Sequence, residues 1–145
     1  MCIRDSPVGF GEPWFEGIEP ALARALMAIP AARAVEFGRG VNAGLMRGSK
    51  HNDKWGEDMS LDEGADGALG GMASGAPIHV RVTFKPPSGI SKPQETFNQV
   101  TGMMEELAIK GRHDPVIAPR ARPVVEAVAR LVIADLGIQG GYIDG

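Results

Sequence analysis

The segment best suited to binding a ligand is a run of basic side chains between residues 110 and 122, KGRHDPVIAPRAR. It concentrates cations in a chain whose formal net charge is −3: Lys110, Arg112, His113, Arg120 and Arg122. Because arginine offers a planar fork of N–H donors, two or three of these side chains could clamp a phosphate or a carboxylate. Neighbouring cations should keep the carboxylate of Asp114 ionised. A surface loop whose Arg–Asp pair precedes a helix accounts for the same residue types equally well.

Two other loop-like stretches could contact an anion, although their signals are weaker. Residues 68–75, ALGGMASG, are rich in glycine, which lets backbone amides approach a ligand closely. They lack a Walker lysine–serine pair and a dinucleotide fingerprint, so ordinary turns are the better interpretation. Residues 46–53 contain cations that could reach an anion, but a solvated pair of His51 with Asp53 explains them somewhat better. No stretch has the spacing of a metal site or of a Ser-His-Asp triad.

Two amphipathic helices are predicted to position these loops. The first covers residues 17–29, whose apolar side chains recur three and four positions apart. These side chains form one face: Ile18, Leu22, Leu26 and Ile29. Pro30 lies just beyond the end of this helix. The second helix is expected from about residue 119 to 136, ended by Gly137 and by the glycine pair at 140–141.

The clearest predicted strand covers residues 78–84, in which apolar and polar side chains alternate with a period of two. The polar members should face solvent or make hydrogen bonds: His79, Arg81 and Thr83. Shorter strands are expected at residues 34–37 and, more weakly, at 105–109. Residues 38–55 are polar and glycine-rich, which predicts a loop with a turn or two of helix. Helices mixed with hairpin-like strands indicate an α+β fold with antiparallel pairing.

The composition is that of one globular domain. The chain has 145 residues, of which 43% are hydrophobic and 23% charged, enough to bury a core. Its 20 glycines and 11 prolines are spread along the chain, which favours ordered loops over disorder. The negative net charge argues against nucleic acid as a partner, and Phe97 is the one aromatic residue between Pro86 and the end of the second helix.

The cellular context follows from a few further observations. No apolar run is long enough to span a bilayer and no secretory leader is evident, so the expected location is the cytoplasm. The single cysteine, Cys2, excludes an internal disulfide and a cysteine metal cluster. The first six residues, MCIRDS, fit nothing that follows and are interpreted as an artefactual leader. The expected organisation is therefore a leader at residues 1–6 and one domain at residues 7–145.

Several motifs, taken in order from about residue 7 to 136, resemble the chorismate synthase family. They are GEPWFEGIEP, ALMAIPAARAVEFG, MRGS with HND, LGG and SG, FKP, and KGRHDP followed by PRARPVVEAV. The last pair resembles the family's C-terminal signature and is the most specific. The family's N-terminal part, with its two signature regions, is not found in the sequence. The resemblance therefore implies the C-terminal portion of a chorismate synthase-like domain.

The resemblance implies a carbon–oxygen lyase of aromatic amino acid biosynthesis. Chorismate synthase eliminates phosphate from 5-enolpyruvylshikimate 3-phosphate in an anti-1,4 sense, giving chorismate in the shikimate pathway. It needs reduced FMN, although the reaction has no net redox change. The implied fold is a sandwich in which antiparallel sheets enclose helices, and the implied assembly is a homotetramer. Whether reduced flavin comes from an NADP-dependent reductase activity of the protein or from outside stays open.

The resemblance also implies roles for particular residues. The positions that match the family's FMN contacts are Pro30, Ala31, Gly70, Lys85, Pro86, Pro87, Ser88, Gly89 and Arg112. Asp114 matches the aspartate placed near the flavin ring and proposed to handle its proton. The family's two catalytic histidines belong to its N-terminal part, so their roles are not assigned to histidines of this chain.

This sequence departs from the family pattern in two loops. Residues 85–89 read KPPSG where the family usually has Lys-Pro-Thr and further hydroxyl residues, so hydroxyls are lost from the flavin loop. Residues 63–67, EGADG, introduce acidic side chains that should weaken anion binding. These departures keep a second hypothesis open, a non-catalytic module that binds an anion or flavin, or a protein partner, on the same scaffold. The intact Arg-His-Asp unit at 112–114 favours the enzyme.

Overall fold

A three-stranded antiparallel sheet forms the body of the computed structural model, which describes residues 1–58, 61 and 64–144. The central strand β5 (Ile78–Phe84) pairs with β2 (Ala32–Phe37) on one side and with β1 (Cys2–Ile3) on the other. Ile78 and Val80 of β5 are buried on one face, whereas His79, Arg81 and Thr83 are exposed on the other. The period-two alternation of the sequence thus gives the sheet one apolar and one polar face.

Two helices cover the apolar face of this sheet. Helix α1 (Ile18–Met27) contacts β2, and helix α3 (Ala118–Gln139) contacts β5 and packs beside α1. Among the described residues, the largest side chains that are entirely buried are Ile18, Leu22, Leu26 and Ile78. Helix α3 adds Val125, Ala129 and Leu136 to the same core. The helical spacing of apolar residues and the alternation of β5 therefore meet in one core.

Short elements connect this body. Residues Trp14–Glu16, Gly40–Leu45 and Gly64–Gly67 form 3₁₀ turns, and α2 (Gly48–His51) is a single helical turn. Two hairpins complete the fold: β3 (Ala68–Leu69) with β4 (Met72–Ala73), and β6 (Gln94–Asn98) with β7 (Met103–Leu107). Among the described residues, no helix combines the length and the apolar character needed to cross a membrane.

The main sequence predictions are confirmed. The α+β class with antiparallel pairing is observed, both long helices form, and the strand at 78–84 has the predicted bounds. The segment 38–55 is a loop with short helical turns, as predicted. Of the acidic loop at 63–67, Glu63 lies outside the described residues.

Three details differ from the predictions. The strand expected at 105–109 begins two residues earlier, because β7 takes its register from β6, which was not predicted. Gly137 was expected to end the second helix, but it is buried inside α3 against Ile143, and the helix ends at Gln139. The leader, left out of the fold prediction, supplies β1: Cys2 pairs with His79 and Ile3 with Ile78.

Candidate active site

The basic segment folds into an exposed loop that leads into α3. Asp114 and Arg120 form an ion pair across the start of this helix, with Nη1 of Arg120 2.7 Å from Oδ2 of Asp114. The imidazole Nε2 of His113 lies 3.2 Å from the carbonyl oxygen of Ile109. The sequence was also compatible with a surface loop whose Arg–Asp pair precedes a helix, and this pair is present. It also presents the Asp114 carboxylate at the surface, where a ligand can reach it.

A second loop begins where β5 ends. The amide of Lys85 donates a hydrogen bond to the carbonyl oxygen of Ala31, with the two atoms 3.0 Å apart. Ala31 has φ +69, an unusual conformation for a residue with a β-carbon, at the turn between α1 and β2. The pairing of Ala32 with Phe84 lies directly beside this contact. Strand pairing therefore brings Pro30 and Ala31 next to the start of the 85–89 loop.

The 85–89 loop and the 112–114 loop are neighbours. A β-carbon added to Gly89 would lie 4.0 Å from Nδ1 of His113. Three groups of predicted site residues therefore meet at one end of the β2–β5 pair: Pro30 with Ala31, Lys85 to Gly89, and Arg112 with Asp114. The charged members of this site cluster, Lys85, Arg112 and Asp114, are all exposed.

The cations of the site cluster are available to a ligand. Within the described part of the chain, neither Lys85 nor Arg112 forms an ion pair, whereas Arg120 is engaged by Asp114. An unpaired arginine and an unpaired lysine can bind phosphate as a forked donor and as a point charge, respectively. The arrangement is thus suited to an anionic ligand with a carboxylate close by.

Gly70, which was predicted to belong to the same site, lies elsewhere in this chain. It occupies the β3–β4 turn with φ +60. Its neighbour Gly71 accepts a 2.8 Å hydrogen bond from the amide of Ile18, at the start of α1. Pro30 follows the other end of that helix, about 15 Å away at 1.5 Å per residue. The structure does not bring Gly70 together with the site cluster.

A polar network that the sequence did not predict surrounds Asp66. Its Oδ1 accepts a 3.2 Å hydrogen bond from the amide of Arg39, and its Oδ2 lies 3.4 Å from Nε2 of His51. Burial, with a smaller contribution from the charge of Asp66, raises the pKa of Glu19. The observed contact of His51 is therefore with Asp66, a residue 15 positions further along the chain. This network ties α2 to the Gly64–Gly67 turn and lies outside the site cluster.

Unpaired cations at the end of an antiparallel α+β sheet can donate charge-assisted hydrogen bonds to a small anionic ligand such as a phosphorylated molecule. A protein-family model described as chorismate synthase matches residues 1–138. A solved structure described as a crystal structure of chorismate synthase aligns with 96% of this chain, with a TM-score of 0.72 and 27% identity. The chain belongs to the chorismate synthase family.

Named relatives agree with this family. A chorismate synthase of Dehalococcoides mccartyi is 45% identical over 141 residues, covering 94% of this chain. A chorismate synthase of Methanosarcina mazei is 44% identical over 148 residues, covering 99%. One from Aeropyrum pernix is 48% identical over 134 residues, covering 90%. The chain spans 35% to 40% of the length of these relatives, and 36% of the solved chain.

Proposed function

We propose that this chain supplies one side of the flavin and substrate site of a chorismate synthase. The observation that carries the proposal is the pair of contacts that join three segments, the Ala31–Lys85 hydrogen bond and the approach of Gly89 to His113. Residues far apart in the sequence, at 30–31, 85–89 and 112–114, thereby form one exposed surface. The family's name supports a lyase of aromatic amino acid biosynthesis.

The proposed reaction is the anti-1,4-elimination of phosphate from 5-enolpyruvylshikimate 3-phosphate to give chorismate. The ring loses a proton, the C–O bond to phosphate breaks, and phosphate leaves with the bonding electrons. Reduced FMN, when bound, would supply electron density to the reacting ring without net oxidation. Arg112 and Lys85 would bind phosphate oxygens, and the Asp114 carboxylate would hold a proton at the surface of the site.

The residues of the flavin loop fit a phosphate-bearing group, but with fewer donors than the family pattern implies. Pro86 and Pro87 have no backbone N–H, so the loop offers the amides of Ser88 and Gly89 and the hydroxyl of Ser88. Gly111 has φ +138, and a β-carbon there would meet no atom within 4 Å, so the backbone is open to a ligand. The cations Lys85 and Arg112 complete a donor set suited to an anion.

The proposal extends to the wider biology of the family. The partners would be a phosphorylated small molecule and further copies of the protein in a tetramer, without nucleic acid or membrane. The location would be the cytoplasm. Reduced flavin would come either from an NADP-dependent activity of the protein or from a separate reductase.

A flavin titration tests the proposed binding surface. The purified chain is titrated with oxidised and reduced FMN, with and without the phosphorylated substrate, and flavin fluorescence and absorbance are recorded. We expect Arg112→Ala to weaken FMN binding at least tenfold, because a charge-assisted contact to phosphate is lost. The control is Arg130→Ala, since Arg130 is also exposed and lies about 18 Å further along α3. Equal binding by wild type and Arg112→Ala would contradict the assignment of Arg112.

The second hypothesis is a non-catalytic anion- or flavin-binding module. It is supported by the loss of hydroxyls at residues 85–89 and by the Asp114–Arg120 pair, which holds the carboxylate in an ion pair. The two hypotheses differ in the expected effect of Asp114→Asn, measured in a chimera of this chain with the preceding portion of the Dehalococcoides mccartyi relative. Lost turnover with retained FMN binding supports the enzyme, whereas unchanged turnover removes Asp114 from the mechanism.

A further inference from the structure

The carboxylate of Asp66 forms ion pairs that are better shielded from water than a typical surface pair of this chain. Its Oδ1 lies 3.5 Å from Nη1 of Arg39, and its Oδ2 lies 3.4 Å from Nε2 of His51. The exposed fraction of the side chain is 21% for Asp66 and 26% for Arg39. By comparison, Arg81 is 61% exposed in its pair with Glu36. Water therefore screens the charge of Asp66 less than it screens that surface pair.

The backbone of Asp66 has an uncommon conformation that its contacts hold in place. Its φ of +60 lies in the left-handed region, which residues with a β-carbon adopt infrequently. The turn is packed directly against the end of β2, because a β-carbon on Gly38 would clash with the side chain of Asp66. Such a conformation persists where surrounding contacts determine it. The contacts with Arg39 and His51 therefore fix the Gly64–Gly67 turn on the body of the fold.

Asp66 also holds a longer segment, residues 39–51, which we call the strap. The strap begins at the amide of Arg39, which donates a 3.2 Å hydrogen bond to Oδ1 of Asp66. It continues through a 3₁₀ turn to α2, in which the first three residues are exposed. His51, the last residue of α2, is half-buried and contacts Asp66. The far end of the strap is thus fastened to the body by the His51–Asp66 contact.

Two groups around Asp66 change charge when they lose a proton. The imidazole of His51 is a cation only when it is protonated. Glu19 of α1 lines the same cavity, of about 410 Å³, as His51 and Asp66. Burial, and then the charge of Asp66, raises the pKa of Glu19, so this carboxyl keeps its proton to a higher pH than an ordinary one. With Arg39 included, the four groups change from one net positive charge in acid to one net negative charge in alkali.

We propose that Asp66 and His51 form a latch that holds the strap on the body in acid and releases it as the pH rises. In acid, Asp66 faces two cations, Arg39 and His51, and the neutral carboxyl of Glu19. At higher pH it faces one cation and a second carboxylate, which repels it. The contribution of a group whose pKa is raised by folding is present at low pH and is lost as the pH rises through the raised value. Loss of the His51 proton acts in the same direction, and the inference does not rest on the proposed function.

Other charged groups near the latch do not reverse its direction. Asp53 lines the same cavity, and its carboxylate also favours a proton on His51. Hydrogen bonds from Arg81 and from a backbone amide of the strap lower the pKa of Glu36, so this contact at the start of the strap stays ionised as the pH rises. His79 of β5 lies on the polar face of the sheet and lines a different recess. The charged side chains nearest the ends of α1 and α2 are otherwise exposed: Glu16, Arg24, Arg47 and Lys50.

A spin label on α2 tests the latch through the mobility of the strap. Ser49→Cys is introduced with Cys2→Ser, so that the new thiol is the only one in the chain, and a nitroxide is attached to it. Electron paramagnetic resonance spectra are recorded at about pH 5.5 and about pH 8.5, on either side of the range in which histidines usually change charge. We expect the rotational correlation time of the nitroxide to shorten at least twofold at the higher pH. Thr83→Cys in the same background is the control, since Thr83 lies on β5 and its label should not respond.

Two further variants separate the latch from a general effect of pH. Asp66→Asn removes the charge but keeps the size of the side chain and its tolerance of a left-handed backbone, so the label at position 49 should be mobile at both pH values. Combining Glu19→Gln with His51→Gln fixes both titrating groups as neutral, so the mobility should no longer depend on pH. This second variant keeps Asp66 and its contact with Arg39, and it provides the test if Asp66→Asn does not fold.

Three outcomes would overturn the proposal. The first is a label at position 49 that is equally mobile at both pH values, or more mobile in acid. The second is an equal response of the labels at positions 49 and 83, which would indicate loosening of the whole fold. The third is a full pH response in the variant that combines Glu19→Gln with His51→Gln, since the proton would then be lost from some other group.

Discussion

At the scale of single residues, the charged side chains of the site cluster are all exposed, but they differ in whether they already form an ion pair. Arg120 is engaged by Asp114 at 2.7 Å, while Arg112 and Lys85 make no ion pair with any described residue. Both partners of the Asp114–Arg120 pair are well exposed, with 75% and 47% of the side chain accessible for Arg120 and Asp114. The pair therefore orients the carboxylate more than it stabilises the fold.

Arg120→Ala tests whether the Asp114–Arg120 pair orients the Asp114 carboxylate or stabilises the fold. Because exposed ion pairs contribute little, the free energy of unfolding should change by less than about 1 kcal/mol in a urea titration. In the chimera of this chain with the preceding portion of the Dehalococcoides mccartyi relative, kcat should fall severalfold, and the KM for substrate should change less. Arg120→Lys should recover part of kcat by restoring the positive charge. A large loss of stability in Arg120→Ala would show that the pair is structural.

The raised pKa of Glu19 predicts in which direction the stability of the chain changes with pH. Burial, then the charge of Asp66, raises its pKa in the folded chain. The folded state thus holds this proton more tightly than the unfolded state, so stability is greatest below the ordinary carboxyl range and falls as pH rises through the raised pKa. Glu19→Gln should therefore increase the melting temperature at pH 7 and lose that advantage at pH 3.

Glu16 is the matched control at the same end of α1. The hydrogen bond that its carboxylate accepts from Arg24 lowers its pKa, so its favourable contribution is present above the ordinary carboxyl range and is lost as pH falls through the lowered value. Glu16→Gln should lower the melting temperature at pH 7 slightly, opposite in sign to Glu19→Gln. A shift of the same sign in both variants would contradict the role given to burial of Glu19.

At the scale of elements, the β3–β4 hairpin fixes the start of α1. Gly71 accepts the 2.8 Å hydrogen bond from the amide of Ile18, and the backbone passes close to Glu12 and Gly17. Gly71 has φ +99, and a β-carbon there would lie 2.5 Å from the carbonyl oxygen of Glu12. A residue without a side chain is required at this crossing.

Gly71→Ala should therefore destabilise the chain by roughly 2 kcal/mol or more, because it combines a left-handed backbone with a backbone clash. Gly44→Ala is the control, since a β-carbon at Gly44 would meet no atom within 4 Å. That substitution should change the free energy of unfolding by no more than about 0.5 kcal/mol. Urea unfolding measures both, and equal stability of the two variants would contradict the packing described for this crossing.

An element of the fold could be predicted from the sequence where the pattern that indicates it lies within the element itself. The alternation in β5 and the spacing in α1 are local, and both elements form as predicted. Strand β6, QETFN, has no apolar alternation and exists through its pairing with β7, so a local pattern could not reveal it. The family resemblance indicated the candidate site residues. Whether they lie close together depends on strand pairing between residues about 50 positions apart.

The Asp66 network shows the same limit for polar residues. Its hydrogen bond with the amide of Arg39 joins positions 27 apart, and no spacing rule indicates such a partner. The sequence signals available were the acidic residues of the 63–67 loop and the basic residues of the 46–53 stretch. These signals showed which segments carry charged side chains. Which of these side chains contact one another is decided by the tertiary fold.

At the scale of the whole molecule, this chain is a sheet with helices on one side, and its relatives are much longer. The alignment with the Dehalococcoides mccartyi relative covers 39% of that protein. The site cluster opens to solvent at one end of the sheet. Under the proposed function, the rest of a chorismate synthase would supply the other side of this site.

The most direct test of the central claim is turnover by the chimera of this chain with the preceding portion of the Dehalococcoides mccartyi relative. Chorismate formation from 5-enolpyruvylshikimate 3-phosphate is followed with reduced FMN under anaerobic conditions. We predict turnover that falls at least a hundredfold in Asp114→Asn, with FMN binding retained. A folded chimera that binds FMN and forms no chorismate would contradict the claim and identify this chain as a non-catalytic binding module.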